Sequence, residues 1–114
     1  MKVPQGATKA YKFRRKDANG QPILNEAEGV EFTVRQVPSE ESPALIIKSL
    51  NDGSITYTQD GYYHFTINSQ DTATMATNIE YWYSIWVNAG NGVNTPIKRM
   101  ADFIVQPVVP KGAE

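Results

Sequence analysis

The sequence predicts an all-β sandwich of about seven antiparallel strands, with one short helical turn near residues 69–75. The first observation behind this prediction is that apolar and polar residues alternate through most of the chain, while helical periodicity is nearly absent. The second is that turn dipeptides separate the apolar runs; they are Asn19-Gly20, Asp52-Gly53, Asp60-Gly61 and Asn91-Gly92. Such pairs tolerate the positive φ of tight hairpins. Short strands with turn signals between them are typical of a sandwich.

Seven runs are assigned to strands, in chain order. They are KAYKFRRK (9–16), GVEFTVRQV (29–37), ALIIKSL (44–50), SITYT (54–58), YYHFTIN (62–68), the segment 79–88 and PIKRMADFIVQP (96–107). The ALIIKSL run is the most continuously apolar of them. In the last run, alternation places Ile97, Arg99, Ala101, Phe103 and Val105 in one register. The segment NSQDTATMA (68–76) offers Asn68 or Ser69 as an N-cap, which predicts a single helical turn that crosses from one sheet to the other.

The length of 114 residues predicts one domain, 1–114. Its core is expected to run from about 7 to 106, with loose ends at 1–6 and 107–114. The start of the chain, MKVPQGATKAYKF, has no apolar run suited to a signal peptide, so we expect synthesis in the cytoplasm. No stretch approaches the ~20 apolar residues of a membrane span, and no membrane partner is expected.

Composition excludes several kinds of chemistry. The chain has no cysteine, which rules out disulfides, thiolate metal sites and cysteine nucleophiles. Asp17 to Glu28 resembles a calcium-binding EF-hand loop, but Pro22 stands where that loop requires glycine. His64 is the only histidine, and it lies opposite the inward Tyr63, so we expect it to face solvent. We therefore predict no enzyme activity, no metal and no cofactor.

A basic run at residues 12–16, KFRRK, raises the question of nucleic-acid binding. Alternation turns Phe13 inward and leaves Lys12, Arg14 and Lys16 on one outer face. The net charge of the chain is −1, and an acid-rich segment follows that could pair with this basic face. A charged edge strand, protected against sheet-to-sheet aggregation, is the simpler interpretation, so no nucleic-acid partner is predicted.

The stretch EYWYSIWVN (80–88) has bulky side chains on both faces of one predicted strand. One face holds Tyr81, Tyr83, Ile85 and Val87, and the other holds Trp82, Ser84 and Trp86. The presence of Ser84 on the second face favours the first as the core side. Both tryptophans of the chain should then point away from the core.

Three interpretations of the tryptophan face remain open. A loop or tail could cover it, with Tyr81 making the contact known as a tyrosine corner. It could be a protein–protein contact, in which tryptophan and tyrosine are favoured anchors. It could also be a platform on which sugars stack. The predicted interface residues are Trp82, Trp86, Ser84 and Tyr62.

The order of these motifs also resembles a known family. KFRRKDANGQPI, GVEFTVRQ, DGSITYTQDGYYHFTINSQDTATM, IEYWYSIWV and PIKRMADFIV are similar to segments of small immunoglobulin-like domains of tailed bacteriophages. The nearest type is the N-terminal domain of the baseplate upper proteins of phages that infect Gram-positive hosts. The likeness spans roughly residues 10–105.

The resemblance implies an immunoglobulin-like antiparallel β-sandwich and a place in the virion, in the baseplate, in the tail or associated with the head. It implies a non-enzymatic structural protein that acts through protein–protein contacts with other virion proteins and with itself, as a homo-oligomer. It supplies no catalytic residues. The alternative is a carbohydrate-binding or adhesin module that stacks sugars on exposed tryptophans.

Overall fold

The computed structural model describes residues 1–90, 92 and 94–107, which form eight strands and one short helix. The strands are β1 (Lys2–Pro4), β2 (Lys9–Arg14), β3 (Gly29–Arg35), β4 (Ala44–Ser49), β5 (Ile55–Tyr57), β6 (Tyr62–Ile67), β7 (Glu80–Asn88) and β8 (Asn94–Gln106). The helix, α1, spans Ser69–Thr72. The described residues contain no helix long and apolar enough to cross a membrane.

The strands form two sheets. One has five strands in the order β1-β8-β7-β3-β4, and the other has three in the order β2-β6-β5. Strand β1 is parallel to β8, and every other described pair is antiparallel. In this arrangement β2, β6 and β5 take the places of strands B, E and D of an immunoglobulin domain, while β8, β7, β3 and β4 take those of G, F, C and C′. The predicted all-β sandwich is confirmed.

The core lies between the sheets and is rich in aromatic rings. Phe32 on β3 is fully buried and stacks on Phe65 of the opposite sheet, with ring centroids 4.6 Å apart. Its ring also meets that of Tyr83 at 5.8 Å. The predicted core face of β7 is confirmed, because Tyr81, Tyr83, Ile85 and Val87 are all buried. Alternation along β3, β6 and β7 therefore accounts for the two-layer packing.

The connection from β6 to β7 crosses between the sheets, as predicted. Helix α1 begins after Asn68, whose N–H donates to Asp71 Oδ2 at 2.7 Å in a capping box. Tyr81 lies at the start of β7, and its hydroxyl accepts the N–H of Ala76 at 2.9 Å. This contact is a tyrosine corner, which is a hallmark of immunoglobulin-type sandwiches. Tyr81 therefore makes the tyrosine-corner contact that is one of the expectations from the sequence.

The prediction of a loose end at residues 1–6 is wrong. Strand β1 pairs with β8, Lys2 opposite Ile104, and the side chain of Val3 is fully buried in the core. Further along, Gly6 N–H donates to Thr72 Oγ1 at 3.0 Å. Three residues are too few to show an alternating pattern, which is why the sequence did not reveal this strand. The predicted loose end at 107–114 lies, apart from Pro107, outside the described residues.

The single register predicted for residues 97–105 is also wrong. Met100 has a φ of 52°, and the pairing of β7 with β8 shifts on both sides of Ile85. These irregularities are β-bulges, which turn the following side chains to another direction. Phe103 and Val105 are buried in the core, whereas Ile97 and Arg99 are exposed.

Tyr11 offers a test of the core at high pH. Its hydroxyl is buried and has no hydrogen-bond partner among the described residues. Burial, and secondly the nearby Tyr83, raises the pKa of Tyr11. A raised pKa means stability that is complete below the ordinary tyrosine value of 10.0 and declines as the pH rises through the folded-state value.

We therefore expect Tyr11→Phe to leave the free energy of unfolding at pH 7 unchanged or raised by up to about 1 kcal/mol, because an unpaired polar group is removed. Above pH 10 the variant should lose less stability than the wild type. Urea titrations at the two pH values measure both effects. Tyr62→Phe, on the outer side of β6, is the matched control. Equal alkaline losses in wild type and Tyr11→Phe would contradict the prediction.

Candidate functional site: the outer face of the five-stranded sheet

Strand β7 turns both tryptophans to the outer side of the five-stranded sheet. Trp82 and Trp86 are half-buried there and stand about 13 Å apart, four residues along one strand. Ser84, between them, is only 2% exposed. The predicted direction of these three side chains is confirmed. The indoles are neither free in solvent nor enclosed in the core.

Strand register places these residues in three rows that cross the sheet. One row runs from Ser49 through Glu31 and Trp86 to Pro96. The middle row contains Ile47, Thr33 and Ser84. The third runs from Ala44 through Arg35 and Trp82 to Asp102. We call this surface the outer face, and its two ends the Trp86 end and the Trp82 end.

Polar groups at the centre of the outer face are shielded by their neighbours. Thr33 is 2% exposed, and its Oγ1 accepts a hydrogen bond of 2.6 Å from Arg35 Nη1. The hydroxyl of Ser84 accepts the N–H of Met100 at 3.0 Å. These bonds satisfy the buried hydroxyls. The positive φ of Met100 has a visible consequence here, since the bulge brings this residue onto Ser84.

Exposed apolar side chains surround this centre. Leu45 and Ile47 on β4 are 48% and 54% exposed, and Leu45 lies at the bulge where the register with β3 shifts. Val37 and Ile79 are also exposed, and they flank the Trp82 end, just beyond the end of β3 and the start of β7. Leu45 and Ile47 are not among the interface residues that the sequence predicts. The run ALIIKSL contains a signal for them, because its consecutive apolar residues place apolar side chains on both faces of β4. An edge strand whose outer face meets only water needs apolar residues on its core face alone.

The Trp86 end is different, because it is a polar groove. An open groove of about 530 Å³ is lined by Gly29, Val30, Glu31, Thr33, Arg35, Glu40, Ser49, Asn51, Trp86, Asn88 and Asn94. Trp82 does not line it. The two indoles, which are equivalent in the sequence pattern, therefore stand in different surroundings.

An ion pair lies beside this groove. Arg99 Nε is 2.9 Å from Glu40 Oε1, so the loop between β3 and β4 reaches over the face to β8. The guanidinium of Arg99 also lies over the ring of Trp86, 5.7 Å from its centroid. Both charged side chains are largely exposed. The pair is therefore worth little to stability, but it shields the β8 side of the Trp86 indole.

The structure does not bring Tyr62 to this surface. Tyr62 lies on the outer side of the three-stranded sheet, on the opposite side of the sandwich. Its ring meets Lys12 Nζ at 4.4 Å and the guanidinium of Arg14 at 4.7 Å from the centroid. These are cation–π contacts. Grouping Tyr62 with Trp82 and Trp86 in one interface is therefore wrong, because β6 and β7 belong to different sheets.

The other residues singled out in the sequence have local structural roles. Asp17 Oδ1 accepts the N–H groups of Asn19 and Gln21, at 2.9 and 3.0 Å, within a turn. The ring of His64 lies 3.0 Å from Thr58 Oγ1. Within the described ranges, no cluster of three histidine or acidic residues could hold a metal ion.

The suggested pairing of the basic run with the acid-rich segment is not seen among the described residues, whose two ion pairs are Lys48–Asp71 and Arg99–Glu40. Arg15 instead donates to the carbonyl of Asn25 at 2.7 Å. The basic side chains of β2 lie along an outer edge of the three-stranded sheet, where they protect that edge.

In comparisons with known proteins, no family model matches this chain and no curated protein matches it.

Proposed function

We propose that this protein is a non-enzymatic assembly module of a tailed-phage or prophage particle, in which it contacts other virion proteins and further copies of itself. The virion setting is supported by the sequence resemblance to immunoglobulin-like phage domains. The surface that makes the contacts is the outer face. Mass spectrometry of particles purified from the encoding strain tests the setting, and absence of the chain from intact particles would contradict it.

One observation supports the outer face as the contact surface. Trp82 and Trp86 stand half-buried on it, with Leu45 and Ile47 about half exposed beside them. Tryptophan is enriched among the residues that contribute most to protein–protein affinity. Full burial of one leucine or isoleucine side chain is worth about 1.5–3 kcal/mol. A partner covering this cluster would therefore gain several kcal/mol from a few side chains.

The contact is made by the face of the sheet rather than by a strand edge, because each outer edge is protected. Strands β1 and β5 have three residues each, and β2 is basic. Strand β4 has a bulge opposite Val34 and Arg35, and its Ser49 N–H donates to Ser54 Oγ at 2.8 Å. Short, charged or bulged edges resist pairing with another sheet.

Self-association is tested by placing charges on the apolar part of the face. We expect the wild-type mass to rise above that of a monomer with concentration, and the double variant Leu45→Glu, Ile47→Glu to remain monomeric. Both side chains point to solvent, so the substitutions should cost less than about 0.5 kcal/mol of folding stability. Size-exclusion chromatography with light scattering measures the masses.

The matched control is Leu24→Glu, because Leu24 is 58% exposed but lies in the β2–β3 connection, outside the three rows of the outer face. It should associate like the wild type. A wild type that stays monomeric up to about 0.5 mM, or a double variant that associates normally, would show that the outer face does not mediate self-association.

A further inference from the structure

We infer that the groove at the Trp86 end binds a neutral saccharide, with one sugar ring stacked on the Trp86 indole and its hydroxyls bonded to Glu31 and Asn88. The groove volume of about 530 Å³ lies within the roughly 300–1,000 Å³ of small-ligand sites. This inference goes beyond the proposed assembly function and does not depend on it.

Register creates the groove. Next to the row of Glu31 and Trp86 lies the pair Gly29 and Asn88, followed on β8 by Asn94. Gly29 leaves the β3 side of this row open. A Cβ placed at Gly29 would lie 3.6 Å from Asn88 Cβ, which is an ordinary contact, and Gly29 does not have a positive φ. A larger side chain would therefore occupy the groove without straining the strand.

The chemistry of the lining favours a sugar. An indole offers an apolar surface to the C–H face of a pyranose. The groove also contains the carboxylate of Glu31 and the amides of Asn51 and Asn88. These planar groups are suited to paired hydrogen bonds with adjacent hydroxyls of a sugar. Asn88 Oδ1 accepts the N–H of Gly90 at 3.0 Å, which holds the amide in place. The Glu31 carboxylate makes no ion pair within the described residues.

Other ligand classes fit this lining less well. The groove lining contains two carboxylates, those of Glu31 and Glu40, and one guanidinium, that of Arg35. This balance of charges does not favour phosphate or sulfate groups. A purely apolar ligand would cover the amides of Asn51, Asn88 and Asn94 without offering them hydrogen bonds, at a cost of about 1–3 kcal/mol for each buried group left unpaired. Arg99 lies over the Trp86 ring and does not line the groove, so the ring is open to a ligand from the side of β3.

The experiment uses the full chain in a Trp82→Phe background, so that Trp86 is the only fluorophore of its kind. An array of neutral, N-acetylated and acidic mono-, di- and trisaccharides identifies binders, and fluorescence titration with them follows. We expect at least one neutral or N-acetylated saccharide to give a saturable change in Trp86 emission. Absence of any array signal, or preference for acidic glycans, would overturn the inference.

Two variants remove the site by different routes. Gly29→Val should fill the groove and Trp86→Ala should remove the stacking surface, and each should weaken binding at least 10-fold on the array. Glu31→Gln should weaken binding three- to tenfold. Leu45→Glu with Ile47→Glu should bind like the wild type while losing self-association, so the two proposals fail separately. Undiminished binding by Gly29→Val, with an unchanged melting curve, would show that the groove is not the site.

Discussion

Replacing Phe32 with alanine is expected to lower the free energy of unfolding by about 3–5 kcal/mol, the largest loss at any single position of this fold. Phe32 is fully buried at the centre of β3 and touches both layers of the sandwich. Its ring stacks on Phe65 at 4.6 Å and lies 5.8 Å from Tyr83. Alanine would leave a cavity between the two sheets that cannot close fully, because the hydrogen bonds within each sheet keep its backbone from moving in to fill the space.

Urea denaturation followed by far-ultraviolet circular dichroism measures this loss. Ile47→Ala is the matched control. Ile47 lies on β4 opposite Thr33, the residue after Phe32, and its side chain is on the opposite face of the sheet. This substitution should cost less than about 1 kcal/mol because Ile47 is 54% exposed. Phe32→Leu should recover part of the loss by refilling volume. Similar losses for Phe32→Ala and Ile47→Ala would mean that the inward and outward faces of this sheet are assigned incorrectly.

The two-layer architecture was predictable because alternation is a local property. Tyr81, Tyr83 and Val87 were assigned to the core from the parity of one strand, and all three are buried. The helical turn after Asn68 followed from capping chemistry, which also acts within a few residues. Features that depend on short-range pattern were therefore accessible from the sequence.

Features that depend on distant partners were not accessible. Val3 is buried only because β8 passes beside it, about a hundred residues later in the chain. The bulge at Met100 is recognisable only when β7 lies opposite, where Ser84 accepts its N–H. Before these pairings are known, neither segment differs from an ordinary chain end or an ordinary strand.

The candidate site shows the same division. Parity predicted that Trp82 and Trp86 would share one outward face, and they do. Parity could not separate them, because the difference lies in the neighbouring strands: Arg35 and Asp102 flank Trp82, whereas Glu31 and Pro96 flank Trp86. The missing side chain of Gly29 then opens a groove beside only one of the two. Grouping Tyr62 with them failed for a related reason, since sheet membership is set by long-range pairing.

This division also suggests how one face serves two purposes. Leu45 and Ile47 form an apolar part that favours a protein surface, while the polar groove beside Trp86 favours a small hydroxylated ligand. Neither Leu45 nor Ile47 lines the groove. A partner that packs on Leu45 and Ile47 therefore does not need to cover the groove.

The second largest effect is expected at Asp71, which joins the five-stranded sheet to the crossover turn. Asp71 Oδ2 lies 2.8 Å from Lys48 Nζ, and the two side chains are 21% and 10% exposed. The same oxygen accepts the N–H of Asn68 at 2.7 Å and closes the capping box of α1. One carboxylate therefore neutralises a mostly buried ammonium on β4 and begins the turn that leads to β7.

We expect Asp71→Ala to cost about 3 kcal/mol or more, because it removes a cap and leaves the Lys48 charge buried without a partner. Lys48→Met should cost about 1 kcal/mol or less, because the methionine fills similar space and the more exposed carboxylate keeps its bond to Asn68. The double variant should then be more stable than Asp71→Ala alone. Urea titrations of the three variants measure the order. If Lys48→Met were as damaging as Asp71→Ala, attraction within the pair, and not the desolvation of Lys48, would be the dominant contribution.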